Sequence, residues 1–291
     1  MRRPAPGTLQ DIKHPGPRAD DRRPHVPCHA EAATIEFGAN APLLDALGSW
    51  AGRNGYSSAV FDLTGLELGP FDYVMPDRAT DDRHVAWYSD TRSSGGACMS
   101  DGVAILGHRN GHWFAHIHAF WEDAGTGHLA HLLPDTLVAS TCSRISGYGL
   151  KGAKFEVAPD PETEFSLFRV KPDAASWTGG EPNALIATLA PFEDLQRSVE
   201  DLSSKLNADT CAVYGVGSLA GARFAEAPPM TALISEIFVN SPDLPKKGRV
   251  SNLPVRAVDL DGGLHEGRIL AGEGPTLITC ELLLIRTVAP A

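Results

Sequence analysis

The chain lacks a long hydrophobic run and carries little positive charge. No stretch of about eighteen consecutive apolar residues occurs, so no membrane-spanning helix is predicted. The amino-terminal residues are polar and proline-rich, which argues against a secretory signal sequence. Lys and Arg total 25 against 36 Asp and Glu, and the formal net charge is −11. This charge disfavours nucleic-acid binding, which depends on cations that neutralise phosphates.

Cysteine is also scarce. The five cysteines are scattered along the chain, and no Cys-x-x-Cys pair occurs. An odd number of dispersed thiols favours a reducing, cytoplasmic compartment. Of the 291 residues 43% are hydrophobic and 21% charged, which is typical of a globular protein with one large domain or two of ordinary size.

The order of predicted elements divides the chain into four ranges. Residues 1–30 are rich in proline and arginine and are expected to form a disordered or extended tail. Residues 31–150 and 181–291 each show a strand, an amphipathic helix and then further strands, while residues 151–180 are interpreted as a linker. The predicted fold class is α+β, with two tandem copies of a compact, mostly antiparallel sheet that carry one main helix each.

A histidine-rich stretch carries the clearest chemical signal. His116 and His118 are two residues apart, so in a β-strand their side chains lie on one face. A turn-rich segment follows, and a strand predicted over 132–142 suggests a hairpin that returns His131 to the first two. Three neutral imidazoles with an open fourth position form the ligand set of a catalytic zinc ion. We therefore predict a divalent metal site, with zinc as the expected ion. The alternative is a set of ordinary polar residues on a half-exposed sheet face.

Further polar residues in this stretch have open roles. Glu122 and His128 are candidates for a catalytic acid or base, or for partners that orient the metal ligands. Turn formation and solvation are the alternative for Glu122 and the preferred interpretation for Asp123. If His128 were a fourth ligand, the site would be closed and structural.

This stretch resembles the PPC domain, also called DUF296, which is conserved in plants and prokaryotes. The resemblance rests on His116-Ile-His118-Ala119, on Asp123, and on the segment from Ala130 through His131 to Asp135. Ala130 and Asp135 depart from the family pattern, which has glycine at both places. The resemblance covers about 34–145 and 180–288, and it implies a homo-oligomer, namely a trimer of a compact α+β domain.

The second half resembles the same family but lacks the histidines. Gly215, Gly217 and Ser218 resemble the GxGSL turn of the family, and Thr279-Cys280-Glu281 resembles its last strand. Arg268 stands at the place of His131, so this half is not expected to bind a metal. The GxGS segment could cradle an anion with its backbone N–H groups. A tight turn without a ligand is the alternative.

Two hypotheses of different classes follow. In the first, the protein is a metal-dependent enzyme that acts on a small carboxylate-bearing molecule, in a composite site between the halves. Arg268 or Arg223 would then hold the carboxylate of this ligand, although a surface arginine is the alternative. In the second, the protein is a non-catalytic binding or regulatory module with a structural metal. Sequence-specific DNA binding is disfavoured, because the net charge of the chain is negative.

Overall fold

Strands dominate the described part of the chain, which a computed structural model gives as residues 2–177, 179–206, 210–245 and 252–287. Two α-helices occur in it, α1 (Leu43–Arg53) and α2 (Leu195–Ser204), with short 3₁₀ helices at Leu9–Asp11 and Pro134–Thr136. The strands of the first part are β1 (His25–Phe37), β2 (Ser58–Asp62), β3 (Glu67–Leu68), β4 (Phe71–Val74), β5 (Pro76–Asp77), β6 (Trp87–Tyr88), β7 (Arg92–Ser94), β8 (Ala97–Arg109), β9 (His112–Asp123), β10 (Thr126–Leu132), β11 (Ser143–Pro159) and β12 (Ser166–Asp173). Those of the second part are β13 (Ala184–Leu189), β14 (Thr210–Leu219), β15 (Ser235–Pro245), β16 (Pro254–Asp259), β17 (Leu264–Arg268) and β18 (Thr276–Thr287).

One 16-stranded sheet runs through both parts, so the prediction of two compact α+β copies is wrong. Its main path runs β17-β16-β15-β14-β18-β13-β1-β11-β2-β8-β9-β10-β4-β7. Strand β1 makes the sheet continuous, because its first residues pair with β13 and its later residues pair with β11. Within the described residues the pairing is antiparallel, except for one parallel bridge between β11 and β8.

The expected tail and linker both contribute strands to this sheet. β1 begins at His25, within residues 1–30, and the range 151–180 holds the end of β11 and all of β12. Proline did not prevent β1 from forming, because around Pro27 the strand is paired with β13 alone. A residue without a backbone N–H is tolerated where one strand edge is free. The domain boundaries themselves stay a prediction.

The three largest apolar cores in the described part of the chain hold the sheet in place. Helix α1 buries Leu43, Leu47 and Ala51 against the first part of the sheet, at the spacing that places side chains on one helix face. Helix α2 buries Leu195, Val199 and Leu202 in the same way against the second part. Neither helix is long and apolar enough to cross a membrane.

The third core is shared between the two parts of the chain. Ile105 and Leu129 from β8 and β10 pack in it with Phe238 and Leu283 from β15 and β18. Contact between these sheet faces brings the β9–β10 hairpin next to β15 and β18, and the candidate site lies at that junction.

Candidate metal centre

Three histidines meet on the hairpin formed by β9 and β10. His116 and His118 share one face of β9, and His131 lies directly opposite His118 on β10. The turn between the strands has positive φ at Ala124 (48°) and Gly125 (79°), the conformation of a two-residue hairpin turn that fixes the register.

The return strand lies earlier than predicted. It covers Thr126–Leu132, whereas the sequence pattern placed a strand over 132–142, and a 3₁₀ helix begins at Pro134. Pro134 cannot donate to a ladder, so strand pairing stops before it. His131 is therefore the penultimate residue of β10, and its side chain still faces His116 and His118.

The ligand atoms are spaced for one metal ion. Nε2 of His116 lies 3.1 Å from Nε2 of His118, and the latter atom lies 3.3 Å from Nδ1 of His131. All three nitrogens lie within 4.8 Å of one another. Zinc bound tetrahedrally to imidazoles, at bond lengths of about 2.0–2.1 Å, separates two ligand nitrogens by roughly 3.3 Å. The donor set therefore fits such an ion.

The tautomer of His118 points its lone pair into the cluster. Its Nδ1 lies 2.7 Å from the backbone oxygen of Ile237, and a carbonyl oxygen can only accept a hydrogen bond. The proton is therefore on Nδ1, and Nε2 faces the other ligand atoms with its lone pair. Lone pairs at this distance repel one another unless a proton or a cation lies between them. A metal ion would supply that charge.

Burial keeps two of the imidazoles neutral. The pKa values of His118 and His131 are held well below 6.5, first by burial and then by the charge of His116. Neutral imidazole is the form that binds metals, so these ligands need no deprotonation at neutral pH. The Tyr88 hydroxyl lies 3.1 Å from Nδ1 of His131, and burial of that oxygen raises its pKa well above 10. It therefore stays protonated.

Two carboxyl groups from the second part of the chain lie next to the triad. Glu236 on β15 places Oε1 3.7 Å from Nε2 of His118 and 3.9 Å from Nδ1 of His131. Glu281 on β18 places Oε2 2.9 Å from Nδ1 of His116, in an ion-pair contact that is not aligned as a hydrogen bond.

Both carboxyl groups are buried, and each has an oxygen without a hydrogen-bond partner among the described residues. Burial raises the pKa of Glu236 to about 8, although a hydrogen bond from Tyr88 acts in the opposite direction. Unpartnered buried carboxylate oxygens beside converging imidazoles are typical of a site built for a cation.

Sequence reasoning did not assign either glutamate to the site. The available signal was a single acidic residue inside an apolar strand, as in Ser235-Glu236-Ile237 and Cys280-Glu281-Leu282. A buried carboxylate at such a position needs a partner, and this requirement marks it as a site candidate.

A cavity of about 320 Å³ opens above the triad. Its walls come from both parts of the chain and include the β5–β6 ribbon through Trp87 and Tyr88. Thr279 also lines it, and its buried Oγ1 has no hydrogen-bond partner in the described structure. The volume is at the lower end of the range for small-molecule sites.

The acid–base candidates from the sequence lie away from the triad. His128 is three residues from His131, so in β10 it points to the opposite face, where its ring stacks on Trp121 at 5.3 Å between centroids. Glu122 and Asp123 are exposed at the hairpin end. None of the three touches the metal ligands.

The GxGS segment is a strand, and the expected turn is absent there. Gly215, Gly217 and Ser218 lie within β14, where Gly215 and Gly217 pair with both neighbouring strands and Ser218 lies at an irregularity in the pairing with β18. A Cβ atom at Gly217 would lie 2.4 Å from the backbone oxygen of Thr279, and one at Gly215 would lie 2.5 Å from that of Glu281. Glycine is therefore required for the close approach of β14 to β18. Gly217 and Ser218 nevertheless line the cavity.

The candidate carboxylate-binding arginines lie outside the cavity. Arg268 is exposed at the end of β17, where it contacts Glu226 at 3.6 Å and donates to the backbone oxygen of Asn252. Arg223 is exposed and pairs with Glu273. Arg268, which the sequence resemblance aligns with His131, is thus at the surface.

Comparisons with known proteins give distant structural likenesses. No family model matches the chain, and no curated protein matches it. A metal-containing protein from Archaeoglobus fulgidus is 14% identical over 48% of this chain and 93% of its own, with a TM-score of 0.37. A plant- and prokaryote-conserved (PPC) protein from Pyrococcus horikoshii is 15% identical over 49% and 94%, with a TM-score of 0.36. A candidate DNA-binding protein from Ralstonia eutropha JMP134 is 18% identical over 48% and 90%, with a TM-score of 0.37. The structures similar to this chain thus include a PPC protein, and each of these three matches about half of the chain.

Proposed function

We propose that the protein is a divalent-metal-dependent enzyme that acts on a small carboxylate-bearing molecule. The observation that carries this proposal is the convergence of three imidazole nitrogens at a cavity whose other wall supplies two buried carboxylates. His116, His118 and His131 would hold the ion, and zinc is the expected species because imidazole suits it. When bound, such an ion polarises a carbonyl group or lowers the pKa of a bound water.

The residues around the triad would have separate roles. Glu281 lies beside Nδ1 of His116 and would orient that ring, as a carboxylate behind a ligating imidazole does. The backbone oxygen of Ile237 would do the same for His118. Glu236 would hold a proton on a carboxyl oxygen that faces the substrate position. The apolar walls would keep bulk water from the reacting groups.

The position of Glu236 also supports a second candidate function. Its Oε1 is close enough to the ligand nitrogens that a small side-chain rotation would make it a fourth ligand. A centre closed by four protein ligands would be structural, and the protein would then be a non-catalytic binding or regulatory module.

Metal analysis of purified variants tests the proposal. The wild type should contain about one metal ion per chain, and His116→Ala should lose it, because two imidazoles remain from three. His128→Ala is the matched control, since it removes a histidine from the same hairpin but from the opposite face. A wild type that binds no divalent metal would refute both candidate functions.

Glu236→Gln separates the two candidates. A catalytic centre should keep its metal in this variant, whereas a structural centre that uses Glu236 as its fourth ligand should bind the metal at least tenfold more weakly. The apparent metal affinity, measured by competition with a chelator, gives the answer without any knowledge of the substrate.

A further inference from the structure

Arg109 is a positively charged group at the cavity that the sequence patterns did not single out. We infer that the Arg109 guanidinium binds the carboxylate of the small molecule whose other end reaches the histidine triad. This inference rests on the proposed function, because it names the residue that recognises the ligand at the same site.

The β8–β9 hairpin places Arg109 on the face of the metal ligands. Asn110 and Gly111 form its two-residue turn with positive φ of 53° and 80°, and Arg109 pairs with His112. Gly107 is opposite Phe114 in this register, and Ile105 is opposite His116. Because side chains two residues apart share a face, Arg109, Phe114 and His116 lie along one side of the hairpin.

Phe114 positions the guanidinium at the cavity. The central carbon of the Arg109 guanidinium lies 3.6 Å from the centroid of the Phe114 ring, and both residues line the cavity. Stacking of this kind holds the guanidinium plane and leaves the N–H groups at its edge free to donate. Gly107, which lies opposite Phe114, packs closely against Phe155 and Phe168, because a Cβ there would meet both.

Arg109 has no carboxylate partner within ion-pair distance among the described residues, unlike Arg22, Arg83 and Arg169. The Asp135 carboxylate acts on this guanidinium only from beyond ion-pair distance. Burial lowers the pKa of Arg109 itself, and the guanidinium remains charged. Arg109 is exposed at the mouth of the cavity and has no carboxylate in contact within the described structure, so a carboxylate or another oxyanion of a ligand would satisfy its guanidinium.

The cavity size sets the class of ligand. An open cavity of about 320 Å³ lies between the triad, Phe114 and the β5–β6 ribbon, which suits a molecule of few heavy atoms. One end would carry the carboxylate at Arg109, and the other would carry the group that reacts or coordinates at the triad. A short dicarboxylate or an oxo acid has this form.

Calorimetry on the zinc-loaded protein tests the inference. Malonate, succinate and glutarate are titrated, and the tightest binder of the three is used with its uncharged diamide as reference. In Arg109→Gln the dissociation constant of that dicarboxylate should rise tenfold or more, while weak binding of the diamide stays unchanged. Arg109→Lys should recover part of the affinity, because it restores the charge without the planar fork.

Arg144→Gln is the matched control, because Arg144 is exposed and pairs with Glu36 away from the cavity. Zinc content measured in each variant keeps the two ideas distinguishable. A wild type without zinc refutes the proposed function. A zinc-loaded wild type that binds none of the three dicarboxylates, or binds them no more tightly than Arg109→Gln does, overturns the role of Arg109 alone.

Discussion

Nδ1 of His118 lies 2.7 Å from the backbone oxygen of Ile237, which joins a ligand in β9 to the backbone of β15. The contact links residues 119 positions apart in sequence, and it fixes which imidazole nitrogen can bind a metal. The centre is therefore assembled from both parts of the chain, although all three histidines come from one hairpin.

Glu281→Gln should weaken metal binding without removing it. The carboxylate lies beside Nδ1 of His116, where its charge favours a proton on that nitrogen and a lone pair on Nε2. Glutamine keeps the volume but loses the charge, so the dissociation constant of zinc should rise about 10–100-fold. Glu36→Gln serves as control, because Glu36 is exposed and contacts Arg144. Equal zinc affinity in wild type and Glu281→Gln would exclude this role.

Glu236→Gln should change the pH dependence of stability in the metal-free protein. Burial raises the pKa of Glu236 from 4.5 to about 8, so the folded protein keeps a proton that the unfolded chain releases. Folding stability supplied by this group is thus lost as the pH rises from about 4.5 to about 8. Glutamine does not titrate, so the folding stability of the Glu236→Gln variant should not show that decrease.

The measurement is a set of urea unfolding curves at pH 5 and pH 9, recorded on chelator-treated wild type and Glu236→Gln. The variant should gain roughly 2–4 kcal/mol relative to wild type between the two pH values. The buried histidines titrate in both proteins, so their contribution cancels in the comparison. If wild type and Glu236→Gln differed in stability by the same amount at pH 5 and pH 9, the raised pKa of Glu236 in the metal-free protein would be contradicted.

Gly217→Ala should destabilise the fold where β14 pairs closely with β18. The added Cβ would lie 2.4 Å from the backbone oxygen of Thr279, in a strand with little freedom to move. Such overpacking costs about 1–3 kcal/mol, which is measurable as a lower urea midpoint. Gly95→Ala is the control, since a Cβ there meets nothing within 4 Å. An unchanged midpoint for Gly217→Ala would mean that the two strands can separate freely.

The histidine triad was open to prediction because its geometry is local. Alternation along a strand places His116 and His118 on one face, and a short turn suffices to return His131. His128 was a candidate while the return strand was expected to begin after it. Once the strand is known to cover Thr126–Leu132, the same alternation puts His128 and His131 on opposite faces.

The remainder of the site depends on long-range pairing that local sequence does not encode. Glu236 and Glu281 reach the triad because two sheet faces share a core, and no pattern within β15 or β18 specifies that partner. The fold class failed for a similar reason. β1 changes its pairing partner at Cys28 and His29, which merges two expected units into one sheet.

Arg109 was missed because what distinguishes it is the lack of a carboxylate partner in contact among the described residues, which a sequence does not show. An arginine before an Asn-Gly turn is unremarkable in sequence, and only the structure places it on Phe114 at the cavity. The GxGS segment shows the converse case. Its glycines were assigned to a turn, yet they serve the close packing of two strands.

Anomalous diffraction at the zinc edge, from crystals soaked in zinc chloride, tests the central claim most directly. The account predicts one strong peak at about 2.0–2.1 Å from Nε2 of His116, Nε2 of His118 and Nδ1 of His131. No peak among these three nitrogens, or a peak held by other residues instead, would contradict it.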